Sequence, residues 1–185
     1  MRFGLLFLLA LGACGSTQCC ADTPAPTTGN GERGNCRPEP PILLTFDDNW
    51  AGEEMLEIVD ASLEWRRLCF DVRPSVSTLH APPNACVIRI VRTAELRGTP
   101  YLGWAEFKRG EVYIIDNIDP SKLRAVAAHE VGHMLIGGYH LTSESYGVMH
   151  RVANVRYLTE ADRQLACEHT GRCTWCDATL DDPIY

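Results

Sequence analysis

The segment His129-Glu130-Val131-Gly132-His133, continued by Met134-Leu135-Ile136-Gly137-Gly138-Tyr139-His140, constrains this chain more than any other. Residues four apart on a helix share one face about a turn apart, so His129 and His133 can direct two imidazoles at one divalent cation. A third imidazole from His140 would leave one coordination position open to water, which separates a catalytic zinc from a structural one. Glu130 is then placed to take a proton from that water. The flanking residues favour a helix. Leu123, Val126, Ala127, Val131 and Met134 recur at helical spacing, and Asp119 or Ser121 is available as the N-cap.

These residues resemble the signature of the metzincin metallopeptidases, His-Glu-x-x-His-x-x-Gly-x-x-His followed by a tight turn bearing a methionine. The matrixin-like enzymes are similar in particular. Gly137 to His140 keeps the Gly-x-x-His step, and Ser145-Tyr146-Gly147-Val148-Met149-His150 is similar to the methionine turn. The likeness extends over residues 42–165, with its specific positions between His129 and Met149. It implies Zn2+ as cofactor, His129, His133 and His140 as ligands, Glu130 as general base and Met149 beneath the metal. The activity it implies is zinc-dependent hydrolysis of peptide bonds in a protein or peptide substrate, with the strand at 111–115 or the limb at 102–107 bordering the cleft and pairing with substrate, unless both are ordinary sheet strands.

The chain departs from that pattern at one point. Three residues, Met134, Leu135 and Ile136, separate His133 from Gly137, where the family has two. One extra residue turns a helix by about 100°, which the Gly137-Gly138 pair would have to absorb. The third ligand is therefore open between His140, His150 and a carboxylate such as Glu144 or Glu160. With a carboxylate the chain would be a gluzincin-like hydrolase. With spoiled geometry it would be an inactive, tethered binding domain. Some branches of the family carry a metal-facing Tyr where this chain has Arg151, so that role is not carried over. Tyr139, Tyr146 and Tyr157 are the candidate transition-state donors.

The N-terminus reads as an export signal. Met1-Arg2 precedes an apolar run from Phe3 to Leu11 that is too short to span a bilayer. Leu11-Gly12-Ala13-Cys14 resembles a bacterial lipobox, so residues 1–13 are the expected signal and Cys14 the lipidated residue, with ordinary cleavage and secretion as the alternative. Gly15 in place of an Asp points to the outer membrane of the cell envelope. Residues 14–41, rich in Thr, Pro, Gly, Asn and Cys, form a tether, and residues 42–185 form the catalytic domain with its Cys-rich tail.

Nine cysteines in a short exported chain favour disulfides, and setting aside Cys14 leaves eight. Cys69 and Cys86 flank a turn-rich segment and are expected to staple it. Cys167, Cys173 and Cys176 with His169 form disulfides or, alternatively, a small zinc site. Cys36 is a candidate for a thiol that blocks the metal. The net charge of −7 without basic clusters argues against nucleic-acid binding. Nothing fixes the oligomeric state, and a monomer is expected.

Strands are expected at 42–46, 85–91, 102–107 and 111–115, the last two as a hairpin around Lys108-Arg109-Gly110. A helix over 53–68 should bury Leu56, Val59, Leu63 and Leu68, and a final helix should start from Thr159. This order predicts an α+β, zincin-like fold. A twisted mixed sheet would be packed with the active-site helix and a C-terminal helix, with a cleft between two subdomains.

Overall fold

The computed structural model describes Cys36 and residues 41–75, 82–96 and 100–176. The expected signal, Cys14 and the tether apart from Cys36 and Pro41 lie outside the described residues. In chain order the elements are β1 (Ile42–Phe46), α1 (Gly52–Leu63) running into a 3-10 turn (Glu64–Leu68), β2 (Val72–Pro74) and β3 (Cys86–Thr93). They continue with β4 (Gly103–Glu106), β5 (Glu111–Ile115), α2 (Pro120–Ile136) and α3 (Glu160–Thr170).

The strands form one five-stranded mixed sheet in the order β2-β1-β3-β5-β4. β1, β2, β3 and β5 run parallel, and β4 returns antiparallel to β5 with Gly103 opposite Ile114. Parallel strands sit in the interior of a sheet covered on its faces, which is why β1 is an almost unbroken apolar run with Ile42 and Leu44 fully buried. In β5 only Val112 and Ile114 are fully buried, the alternation of a strand covered on one face. The 102–107/111–115 hairpin is present, turning through Gly110 at φ +68°. The three-residue strand β2 was not expected; its Val72-Arg73-Pro74 run is too short to carry an alternation signal.

α1 differs from expectation at one position and in length. Val59, Leu63 and Leu68 are buried as expected, together with Ile58, Ala61, Ser62 and Trp65, whereas Leu56 is 67% exposed. At 100° per residue Leu56 stands about 160° from the fully buried Ile58. The α-helix ends at Leu63, and the 3-10 turn ends at Cys69, a non-glycine residue in the left-handed region at φ +64°. That turn seats Trp65 beneath α2, where its Nε1–H donates to the carbonyl of Ala128 at 2.9 Å.

α2 is buried on nearly every side from Ala125 to Ile136, the pattern of a helix enclosed by the fold rather than lying on it. Asp119 is its N-cap, accepting from the Ser121 amide at 2.9 Å, and Pro120 occupies the first turn where no amide partner is needed. α3 starts with Thr159 and Asp162 as a reciprocal capping box.

Three disulfides join Cys36 to Cys86, Cys69 to Cys176 and Cys167 to Cys173. They correct the expected Cys69–Cys86 staple: both cysteines are bridged, but to partners distant in sequence. They also use up every sulfur of the alternative tail zinc site, and they tie up Cys36, so it offers no free thiol to a metal. Such bridges suggest an oxidising compartment, extracellular or in a cell envelope. No helix among the described residues is long and apolar enough to cross a membrane.

The Cys69–Cys176 bridge closes a separation of 107 residues and ties the tail to the turn that holds Trp65. Removing it as the double variant Cys69→Ala/Cys176→Ala should lower the unfolding free energy in urea by about 2–5 kcal/mol. An unchanged urea midpoint would contradict this pairing.

Candidate metal centre

His129, His133 and His140 converge, with one nitrogen from each lying within 4.8 Å of the others. The ring centroids of His129 and His133 are 4.6 Å apart, and His140 lies 5.2 Å and 4.7 Å from them. The first two rings come from successive turns of α2. The third arrives because the extra residue is absorbed where the helix ends. The Gly137 amide still makes the helical bond to the His133 carbonyl at 2.8 Å, and Gly137 then takes φ +98°, a conformation that L side chains rarely adopt. The Tyr139 amide closes back on the Gly137 carbonyl at 2.8 Å, and His140 swings over the first two rings.

The other sequence candidates for third ligand stand elsewhere. His150 accepts from the Val152 amide through Nδ1, Glu160 pairs with Arg163, and Glu144 is exposed. Tyr139 stacks flat on His169, at 3.5 Å between centroids, while Tyr146 and Tyr157 are exposed on the surface. None of the three tyrosines lines the cleft in front of the imidazoles.

Hydrogen bonds decide which nitrogens are free. His129 Nδ1 lies 2.7 Å from the Val148 carbonyl, and His133 Nδ1 lies 3.0 Å from the Gly137 carbonyl. A carbonyl only accepts, so both Nδ1 atoms carry the proton, and both Nε2 atoms present lone pairs. Those two Nε2 atoms face each other at 3.1 Å. Burial, followed by the charges of its neighbours, pushes His133 down to about 3, and burial pushes His140 down to about 4, so the rings are neutral. Neutral imidazole lone pairs directed at one point fit a divalent metal ion, and the two carbonyls supply the outer contacts that orient such ligands.

Met149 is fully buried under this group. A Cβ on Gly132 would lie 2.4 Å from the Met149 sulfur and 2.4 Å from the Trp65 ring, so only glycine lets the helix settle between them. The turn itself is held by Asp162, a fully buried carboxylate from the first turn of α3. Asp162 accepts from the amides of Val148 at 2.9 Å and Met149 at 2.8 Å, and from the Thr159 amide at 2.8 Å. It therefore fixes the same Val148 whose carbonyl orients His129. The sequence marks Asp162 as a capping residue, but its reach across to the methionine turn depends on how α3 docks.

Glu130 points into the cleft beside the rings and accepts from the Ala105 amide of β4. Burial raises its carboxyl to about 8. Gly103 makes room for it, since a Cβ there would fall 2.6 Å from the Glu130 Cγ and 2.8 Å from its Oε1. Neither Gly103 nor the Ala105 amide carries a sequence signal, because their importance lies in which part of the sheet edge meets α2. The cleft has a volume of about 860 Å³ and runs between β4 and the segment that follows Met149. Compared with known proteins, the chain matches no family model and no curated sequence.

Two outcomes follow from this geometry. Asp162→Ala should weaken metal affinity by about 10- to 100-fold, although Asp162 touches no ligand, as titration against a competing chelator would read. In chelator-treated protein, Glu130 keeps its proton to about pH 8 when folded, against an ordinary 4.5. The folded state then binds more protons than the unfolded one between those values, so stability falls as pH rises through that window. Glu130→Gln should abolish this fall. A parallel decline in the thermal midpoints of both proteins would contradict it.

Proposed function

We propose that this chain is a zinc-dependent endopeptidase of metzincin-like, matrixin-like build. The observation that carries the proposal is the meeting of three neutral imidazoles with one buried carboxylate at the floor of an open cleft. The mixed sheet with α2 behind it and α3 closing the base suits the expected zincin-like fold.

His129, His133 and His140 would hold the metal through unprotonated ring nitrogens. Zinc bound there supplies Lewis acidity, polarising a peptide carbonyl and making water acidic near neutral pH. Glu130, which burial otherwise keeps protonated, would be ionised next to that positive charge. The Glu130 carboxylate then receives the proton of the attacking water at one Oε and delivers it to the leaving amine nitrogen. The Ala105 amide holds that carboxylate in position, and Gly103 keeps the space around it clear.

β4 is the edge of the sheet and borders the cleft, so an extended peptide laid along it would add one further strand and bring its carbonyl over the imidazoles. Export and lipidation at Cys14 would tether the domain to the cell envelope.

The test compares zinc-loaded wild-type protein with Glu130→Gln and His140→Ala on a mixed peptide library, with and without chelator. Glu130→Gln should retain stoichiometric zinc and lose about 10²- to 10⁴-fold in hydrolysis. His140→Ala should lose both zinc and hydrolysis. Hydrolysis that survives chelation, or that is unchanged in Glu130→Gln, would reject the proposal.

A further inference from the structure

The chain carries a net charge of −7, yet the wall of the cleft opposite β4 is basic. Lys122 projects from the first turn of α2, and Arg151 and Arg156 come from the segment after Met149. All three line the cleft and are exposed, and none of them forms an ion pair among the described residues. Arg156 is held in place by donating to the Ser121 carbonyl at 2.9 Å, which joins this segment to the start of α2. Asp119, the acid beside Lys122, caps Ser121 and also feels the Lys122 charge, without closing an ion pair with it. On the opposite side Glu106 lies in the field of Arg109. The remaining acid of the lining is Glu130.

We infer that this cleft selects peptides bearing acidic side chains on the side of the scissile bond that faces the α2 N-terminus, with Arg151 and Lys122 as the residues that read them. The inference rests on the peptidase reading only for the ligand being a peptide.

The spacing fits such a ligand. Lys122 precedes His129 by seven residues, about 10 Å along the helix axis at 1.5 Å per residue. An extended peptide covers that distance in about three residues. Arg151, two residues after Met149, lines the same cleft as His129, His133 and His140. The lining also includes the apolar Ala125 and Ala153, which suit the methylene stem of a Glu whose carboxylate reaches the basic rim.

Binding and turnover are measured separately, so that the two readings fail separately. Dye-labelled decapeptides carry Glu or Gln at three positions on one side of a central Ala-Leu pair, then on the other. They are titrated by fluorescence anisotropy against zinc-loaded Glu130→Ala protein. Glu peptides of one orientation should bind about three- to thirtyfold more tightly than their Gln counterparts. The difference should shrink in 0.5 M salt, where screening shortens the reach of exposed charges. Lys122→Glu/Arg151→Glu should reverse the preference, and Lys122→Gln/Arg151→Gln should cancel it in case the reversal disturbs folding.

Equal binding of Glu and Gln peptides, or a preference untouched by both double variants, would overturn the inference. In wild-type protein, metal-dependent cleavage without acid preference also overturns it and leaves the peptidase reading standing. Acid-selective binding without any cleavage supports the inference while rejecting the peptidase.

Discussion

Two imidazole nitrogens with no proton between them are held 3.1 Å apart, each ring locked by a backbone carbonyl on its far side. Without a cation that arrangement is repulsive, because two lone pairs face each other in a region from which water is largely removed. Folding nevertheless imposes it. α2 sets the spacing of His129 and His133, Gly137 turns the chain so that its own carbonyl orients His133, and Val148 orients His129. Local backbone geometry and the chemistry of the cluster therefore point to the same occupant, a divalent metal.

The rest of the fold serves to hold this constraint rigidly. α2 is enclosed by the sheet, by α1 with the turn bearing Trp65, and by the methionine turn. The close approaches occur where a side chain is missing. Gly132 admits Met149 and Trp65, and Gly103 admits Glu130. Asp162 links α3 to the turn beneath the rings, and the Cys69–Cys176 bridge links the tail to the turn behind them. Displacing either support would move a ring that neither of them touches.

Much of this was legible in the sequence because it is local. Helical spacing placed His129, Glu130 and His133 on one element, and Thr159-Glu160-Ala161-Asp162 marked the start of α3. The hairpin of β4 and β5 followed from two apolar runs around Lys108-Arg109-Gly110. What escaped is long-range. The partners of Cys36 and Cys69 lie 50 and 107 residues away, and no spacing rule chooses among possible pairings. Along α1 and its 3-10 turn the spacing found Val59, Leu63 and Leu68, which are buried, but not that Leu56, in line with Leu63 two turns earlier, is left uncovered. The third ligand was open because one inserted residue changes direction by a quarter turn or more. That it still arrives depends on Gly137 accepting a positive φ.

The most direct measurement is X-ray absorption at the zinc edge on protein reconstituted with one equivalent of zinc. The account predicts a first shell containing three imidazole nitrogens at about 2.0–2.1 Å, with the multiple-scattering pattern of the rings, and no sulfur at about 2.3 Å. A shell with two imidazoles, or one containing cysteine sulfur, would contradict the central claim that His129, His133 and His140 together form the metal centre.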